Sequence, residues 1–145
     1  MKDIDKLIEL VFTLSRITRE GVEEKSNSLS YIQFQTLSFL LKQRNPTMKE
    51  ISKHIHITAP STTILINNLV RMKLVSRIND ETDRRVIRLI LTTSGREELE
   101  KGFLVAKKHL ANIFSKLSKN DRDDFVRVLT KLSGFFNQDT LWRKM

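Results

Sequence analysis

An arginine pair lies where two short predicted strands meet. The run Asp83–Gly95 places Arg84 and Arg85 at the start of one strand, which leads directly into a helix. The upstream segment Val75–Asn79 is its predicted partner strand, and Asp80–Asp83 supplies the turn between them. Guanidinium groups are attracted to the negative potential of a narrow DNA minor groove. The sequence therefore predicts a β-hairpin with a cationic tip whose chemistry suits DNA.

Two short helices are predicted immediately before this hairpin. Thr47–Glu50 has the form of a capping box, which begins a helix that ends near His54. A turn at His56 follows, and Thr58 is the expected N-cap of a second helix that runs to about Lys73. An isolated hairpin is marginally stable in water, so it must pack against these helices. A helix-turn-helix followed by a wing is an arrangement that reads DNA, with the N-terminal half of the second helix in the major groove.

Side chains of the second helix and the wing are the candidate DNA contacts. Base reading needs donors and acceptors that reach base edges, whereas cations fix the register on phosphates. On the second helix the candidates share one face: Ser61, Thr63, Ile64, Asn67 and Asn68. The two asparagines suit paired hydrogen bonds to adenine, and Ile64 suits a thymine methyl. On the wing the candidates are Arg84 and Arg85 for the minor groove, Arg77 and Arg88 for phosphates, and Asp83 for orienting an arginine.

At the wing the chain resembles the MarR family of transcription regulators. The family's wing carries an Asp-x-Arg element followed by a strand that ends in Leu-x-Leu-Thr-x-x-Gly. The matching positions here are Asp83, Arg85, Leu89, Leu91, Thr92 and Gly95. The resemblance implies a mainly α (α+β) winged helix-turn-helix and a homodimer that binds a pseudo-palindromic operator, with repression the commoner outcome. It also implies a small effector, often aromatic or phenolic, that binds between the helices and the reading lobe; the sequence does not identify its site.

The chain departs from the family pattern at four positions. Ile64 and Asn68 stand where the family often has arginine, so we expect readout to depend more on thymine methyls, asparagine contacts and the wing. His56 and Lys73 stand where the family commonly has glycine. Histidine tolerates a left-handed backbone better than most residues, whereas lysine at a helix end would need strain or a different termination.

Amphipathic helices are predicted on both sides of the reading lobe. One covers residues from about 3 to 25, and another begins at the capping box Ser30–Gln33 and ends near Lys42. After the wing, an apolar stripe with heptad-like spacing favours a partner helix: Leu99, Phe103, Ala106, Leu110, Ile113 and Leu117. The last predicted helix carries Phe125, Val128, Leu129, Leu132, Phe135 and Phe136, and a tail with Leu141 and Trp142 follows. We therefore predict a single domain, 1–145, with a DNA-binding lobe at 29–96 and a helical dimerisation region at 1–28 and 97–145.

Composition limits the classes of function. The formal net charge is +9, and residues 42–96 hold 11 Lys and Arg against 4 Asp and Glu, a local excess of +7. Phosphates bound there would release counterions, which makes binding sensitive to salt. The chain has no cysteine, which excludes disulfides, thiolate catalysis and cysteine metal sites. The N-terminus begins an amphipathic pattern rather than a signal peptide, and no apolar run reaches membrane-spanning length, so we expect a cytoplasmic protein without a membrane partner.

Catalytic and cofactor chemistry has little support in the sequence. His54 and His56 are the only close histidines and make a weak metal site, and the chain has neither a glycine-rich phosphate loop nor a nucleophile–base motif. We therefore expect no enzymatic activity, no metal and no cofactor. Two alternatives to a regulator stay open. One is a basic dimeric helical interaction module whose wing contacts an acidic protein, and the other is an architectural or RNA-associated protein without base readout.

Overall fold

The computed structural model describes residues 2–25 and 29–134, with the backbone alone for residues 22–25. These residues form six helices, α1 Lys2–Lys25, α2 Tyr31–Lys42, α3 Met48–Ile55, α4 Ala59–Arg71, α5 Thr93–Phe114 and α6 Lys119–Ser133, and two strands, β1 Val75–Asn79 and β2 Ile87–Leu91. The predicted mainly α fold with one β-hairpin is confirmed. Four residues of the predicted last helix and tail lie outside the described residues: Phe135, Phe136, Leu141 and Trp142. None of the six helices is long and apolar enough to cross a membrane.

The helices begin at hydrogen-bonded caps that their sequences specify. Before α2 the backbone N–H of Ser30 donates to Gln33 Oε1 at 2.8 Å, and before α3 the N–H of Thr47 donates to Glu50 Oε2 at 2.7 Å. Both predicted capping boxes are therefore present. Thr58 is the N-cap of α4, as predicted. Because a cap satisfies amides that have no partner inside the helix, these residues fix where each helix starts.

One core joins α2, α3, α4 and the hairpin. Its centre consists of apolar side chains with no exposed surface: Leu37 from α2, Ile51 from α3, Ile66 and Leu69 from α4, and Leu89 from β2. Burying a side chain of this size contributes about 1.5–3 kcal/mol relative to leaving it exposed. The hairpin is thereby anchored to the helix-turn-helix, which gives two strands the support that they lack alone.

Two residues with a Cβ adopt the left-handed backbone at the ends of α3 and α4. His56 ends α3 with φ 59° and ψ 43°, and Lys73 follows α4 with φ 62°. The Lys73 carbonyl accepts the Thr92 hydroxyl at 2.7 Å, and the N–H of Leu74 donates to the Leu69 carbonyl at 2.9 Å. These bonds hold the lysine in a conformation that is sterically unfavourable for it. The end of α4 therefore keeps the left-handed conformation, and Lys73 adopts it at the cost of backbone strain.

The hairpin has a longer turn than the sequence predicted. β1 has the predicted bounds and pairs antiparallel with β2 along its whole length. The second strand begins only at Ile87, and the Asp80 N–H donates to the Val86 carbonyl at 2.9 Å across the turn. Arg84 and Arg85 therefore lie within the turn itself, not at the start of a strand.

The apolar stripe of α5 lies in two different environments. Leu99, Phe103 and Ala106 are buried within the protomer, and the Phe103 ring packs edge-on against Phe34 of α2 with centroids 4.7 Å apart. Leu117, the last residue of the stripe, lies beyond the end of α5 and is exposed. The first half of the stripe thus has its partner helix inside the chain.

Gly95, in the first turn of α5, is in close contact with the chain that leaves α4. A Cβ at this position would overlap the Leu74 carbonyl oxygen, whereas a Cβ on Gly134 would lie 3.3 Å from its nearest neighbour, the Lys131 carbonyl oxygen. We expect Gly95→Ala to lower the free energy of unfolding by about 2 kcal/mol or more, because the backbone must move. Gly134→Ala should change it by less than about 1 kcal/mol. Urea denaturation at one protein concentration measures both values, and equal values would contradict this packing.

Candidate nucleic-acid interface

The predicted reading residues lie on the face of α4 that points away from the core. The opposite face is fixed by four buried side chains: Thr62, Leu65, Ile66 and Leu69. Ser61, Thr63, Ile64 and Asn67 are exposed, and Asn68 is half-buried at the margin. Ile64 leaves 65% of its surface in solvent. The structure therefore brings the five residues together on one helix that the core holds in place.

Hydrogen bonds within α4 already occupy some of these polar groups. The Thr63 hydroxyl donates to the Ala59 carbonyl at 3.1 Å, and Ser61 Oγ accepts the Thr58 hydroxyl at 2.9 Å. A hydroxyl has one hydrogen to donate and two lone pairs that accept. Thr63 therefore offers DNA an acceptor only, whereas Ser61 still has its hydrogen to donate.

Arg77 joins β1 to the reading helix. Its Nη2 donates to Asn67 Oδ1 at 2.5 Å, and both side chains are exposed. The sequence predicted separate roles for these residues, a phosphate contact for Arg77 and a base contact for Asn67. Their bond depends on how β1 is placed against α4, which the spacing of the residues along the chain does not reveal. The two side chains therefore form one unit that links the helix to the wing.

The arginine pair projects from the turn of the wing. Arg85 is held by Asp83: Nε lies 3.2 Å from Oδ1, Nη2 lies 3.4 Å from Oδ2, and the backbone N–H donates to Oδ1 at 3.0 Å. Because the Arg85 side chain is 91% exposed, this contact orients the guanidinium without removing it from solvent. The position of Asp83 suits the predicted orienting role. Arg84 is exposed and has no ion-pair partner among residues 2–25 and 29–134.

Arg88 connects the wing to the segment between α2 and α3. Its Nε donates to Asp80 Oδ1, and its Nη1 donates to the Asn45 carbonyl at 3.0 Å. Next to it in β2, the Leu89 N–H donates to the Pro46 carbonyl at 2.9 Å. The sequence predicted a phosphate contact for Arg88. In the structure its guanidinium is already bound within the protein, so a phosphate would have to compete with these partners.

Asp80 organises the turn that carries the arginine pair. Its Oδ2 accepts from the Thr82 hydroxyl at 2.6 Å and from the N–H groups of Thr82 and Asp83, both at 3.1 Å. The pKa of this carboxyl lies well below its ordinary value, first because of the Thr82 hydroxyl and next because of Arg88. The hydrogen bond to Asp80 in turn raises the pKa of Arg88. The sequence indicated only that Asp80 suits a turn, because its partners depend on the length of that turn.

Positive charge dominates the surface formed by α4 and the wing. Residues 59–91 hold 6 Lys and Arg against 3 Asp and Glu, and none of these carboxylates is on α4. Two of the three, Asp80 and Asp83, are paired with Arg88 and Arg85. Such a surface attracts phosphates and repels cationic ligands.

His54 and His56 line a cleft of about 270 Å³ between α2 and α3. The His54 ring stacks on Phe39 with centroids 4.0 Å apart and planes at 16°. Burial lowers the pKa of His54, and Lys42 and His56 lower it further. The hydroxyl of Ser38, which lines the cleft, is buried and has no hydrogen-bond partner among the described residues. Within the described residues no three His, Asp or Glu side chains come together in a group that could hold a metal.

Known proteins share both the sequence pattern and the fold. Residues 27–86 match the model of the MarR family. The uncharacterized HTH-type transcriptional regulator YkoM of Bacillus subtilis (strain 168) is 26% identical over 121 residues, which are 83% of this chain and 78% of YkoM. A MarR family protein from Bacillus stearothermophilus is 26% identical with a TM-score of 0.79, over 94% of this chain and 97% of that one. The S. aureus MepR–DNA complex is 26% identical with a TM-score of 0.66, over 88% of this chain and 96% of that one. The resemblance seen in the wing is thereby confirmed.

The hydrogen bonds of Arg88 should determine how strongly the wing resists local opening. We expect Arg88→Met to raise the amide hydrogen-exchange rates of β1 and β2 by about tenfold or more, because the hairpin loses its bonds to Asp80 and Asn45. Arg84→Met removes a neighbouring exposed arginine and should leave these rates unchanged. If both variants exchange like the natural chain, Arg88 does not hold the wing.

Protonation of Asp80 at low pH should destabilise the same turn in the natural chain. The folded-state pKa of Asp80 lies below the ordinary value of 3.8, so its stabilising effect is complete above that pH and is lost as the pH falls below it. Exchange in the wing, corrected for the intrinsic effect of pH, should therefore accelerate in the natural chain below pH 3.8, and by a smaller amount in Arg88→Met, in which Asp80 keeps its bonds to Thr82 and Asp83.

Proposed function

We propose that this chain is a transcription regulator of the MarR family that binds duplex DNA through α4 and the wing. The observation that carries the proposal is the exposed polar face of α4 beside the arginine-bearing turn, within a segment, 59–91, that holds 6 Lys and Arg against 3 Asp and Glu. A solved relative of the same fold, MepR, is bound to DNA. We further propose that the chain acts as a homodimer on a pseudo-palindromic operator and represses transcription.

The two parts of the surface have different tasks in this proposal. α4 enters the major groove, where side chains can distinguish the base pairs by their donors, acceptors and methyl groups. The proposed base contacts are Ser61, Thr63, Ile64, Asn67 and Asn68. Arg84 and Arg85 reach the flanking minor groove or its phosphates, with Asp83 orienting Arg85. Arg77 and Arg88 contribute less to phosphate binding than Arg84 and Arg85, since their guanidinium groups already have partners in the protein.

Apolar side chains that the rest of the described chain leaves exposed lie along α1 and α6. Half or more of the surface is exposed on five side chains of α1, Ile4, Leu7, Ile8, Val11 and Phe12, and Val126, Leu129 and Leu132 of α6 are exposed as well. Apolar faces of this extent mark interfaces. A second copy that covers them would place two α4 helices on half-sites one DNA turn apart, about 34 Å. Residues 29–96 then form the DNA-binding lobe, and residues 1–28 and 97–145 form the dimerisation region of a single domain, 1–145.

The cleft between α2 and α3 is the proposed site of a small aromatic effector. Tyr31, Phe34 and Phe39 provide aromatic walls, and Lys42 provides positive charge. The buried Ser38 hydroxyl has no hydrogen-bond partner within residues 2–25 and 29–134, and a ligand would supply one. Because the cleft joins α2 to the first helix of the helix-turn-helix, a ligand there would change how the reading lobe is held. Release of DNA by such a ligand is part of the proposal.

If the wing binds phosphates, its arginines determine part of the salt dependence of binding. We expect Arg84→Ala combined with Arg85→Ala to reduce the slope of log affinity against log salt concentration by up to about two units, one for each lost phosphate contact. Lys107→Ala combined with Lys108→Ala removes the same charge from the exposed surface of α5 and should leave the slope unchanged. Titrations of random-sequence duplex DNA at several salt concentrations give the slopes. Equal slopes for the two double variants would exclude phosphate contacts by the wing.

If α1 is part of the dimer interface, a charge in its apolar face should separate the protomers. Phe12 and Leu104 are both 71% exposed in the protomer, so a glutamate at either position has little effect on the fold of one chain. We expect Phe12→Glu to sediment as a monomer, because dimerisation would bury its charge without a partner. Leu104→Glu, on the outer face of α5, should sediment as a dimer. A dimer of Phe12→Glu would place the interface elsewhere.

A further inference from the structure

Arg77 lies on the face of the hairpin that packs against the helices. Side chains alternate between the two faces of a strand, so Arg77 shares its face with Val75, two residues earlier, and with Leu89, its antiparallel partner in β2. Val75 and Leu89 are buried in the core. The Arg77 guanidinium extends from this face to α4, where Nη2 donates to Asn67 Oδ1 at 2.5 Å. The Arg77 side chain is therefore directed at the reading helix.

The backbone between Asn67 and Arg77 is fixed by hydrogen bonds and by the core. It forms the corner from α4 to β1, where the Leu74 N–H donates to the Leu69 carbonyl at 2.9 Å and the Thr92 N–H donates to the Leu74 carbonyl at 3.1 Å. Leu69 and Leu74 are buried in the core. The contact between the two side chains therefore forms across a corner that the core holds in place.

The bond determines the orientation of the Asn67 amide. A guanidinium has donors only, and the oxygen is the only acceptor of an asparagine side chain, so Arg77 bonds to the oxygen end alone. The oxygen can accept a second hydrogen bond, and the bond leaves both amide N–H groups able to donate. Because both side chains are exposed, a base edge can approach these groups. Asn67 thus keeps an acceptor and two donors for a base while Arg77 holds its oxygen in place.

A fixed amide orientation matters for base readout. A base edge presents its donors and acceptors in a set order, as in adenine, where the N6 donor lies beside the N7 acceptor. A reversed amide offers its oxygen and its nitrogen in the opposite order and does not match that edge. A side chain that is already ordered also loses less entropy on binding. The bond therefore strengthens the contact with the matching base and adds nothing for the others.

We propose that Arg77 is a positioning residue for base readout: it holds the Asn67 amide in the orientation that reads a base, and it contacts no base itself. The inference rests on the proposed function, in which α4 lies in the major groove. It changes the role that the sequence predicted for Arg77, from a phosphate contact to a contact within the protein. A residue of the wing thereby sets the specificity of a residue on the reading helix.

Selection of bound sequences from a random duplex pool, by the natural chain and by Asn67→Ala, identifies the base position that depends on Asn67. The affinities of both proteins, of Arg77→Met and of the double variant are then measured for the selected duplex and for a duplex with another base at that position. Methionine keeps the unbranched stem of arginine and removes its donors. Measurements at low salt concentration strengthen the binding of every variant.

We expect Arg77→Met to lower the preference at this position by about threefold or more, in line with the cost of ordering one side chain. The preferences at the other positions of the site should stay unchanged. In the Asn67→Ala background, Arg77→Met should have no effect on whatever preference remains, because the amide that it positions is absent. Arg84→Met is the matched control: it removes an exposed arginine from the turn of the wing and should leave the preference at this position unchanged.

The outcomes separate this inference from the proposed function. A natural chain that selects no recurring sequence contradicts the proposed function itself. When a recurring sequence is found, the inference alone is overturned if Asn67→Ala alters no position. It is also overturned if Arg77→Met weakens both duplexes by the same factor, which would return Arg77 to a phosphate contact. A loss of preference at all positions alike in Arg77→Met overturns it as well, because Arg77 would then support the fold and not one amide.

Discussion

Arg88 holds together three parts of the chain that are far apart in sequence. Its guanidinium binds Asp80 in the turn of the wing and the carbonyl of Asn45 before α3, while β2 itself bonds to Pro46. A two-stranded hairpin is marginal by itself, so its orientation depends on such ties as well as on the buried Leu89. The same Asp80 fixes the turn from which the arginine pair projects. The direction in which the wing presents its charge is thus set by an interaction inside the protein.

Much of the fold could be predicted because its signals are local. The capping boxes at Ser30 and Thr47 and the N-cap at Thr58 set the helix starts, and β1 has its predicted bounds. The apolar stripe that begins in α5 predicted a partner helix, but apolar periodicity does not show whether that helix belongs to the same chain or to another. The bonds of Arg88 and Arg77 escaped prediction for a related reason. They join residues through the register of a hairpin and the packing of a strand on a helix, which no spacing along the chain records.

The candidate site could be predicted as a set of residues, but not as a set of available atoms. All five predicted residues of α4 lie on its outer face. Internal hydrogen bonds then restrict their chemistry, because Thr63 donates its only hydroxyl hydrogen to Ala59 and Asn67 accepts a bond from Arg77. Arg77 of β1 places guanidinium donors beside α4, whose reading face carries no arginine. Sequence readout in the proposed function therefore comes from α4 and the wing as one rigid surface.

Site-specific photo-crosslinking tests this placement on DNA most directly. A benzophenone amino acid would replace Ile64 on α4, Arg84 in the wing turn and Leu104 on α5 in three separate proteins, each illuminated with duplex DNA. All three positions are exposed, so the substitutions perturb the fold little. The account predicts crosslinks to DNA from positions 64 and 84 and none from position 104. Crosslinks from position 84 without any from position 64 would contradict it, because α4 would then lie outside the groove.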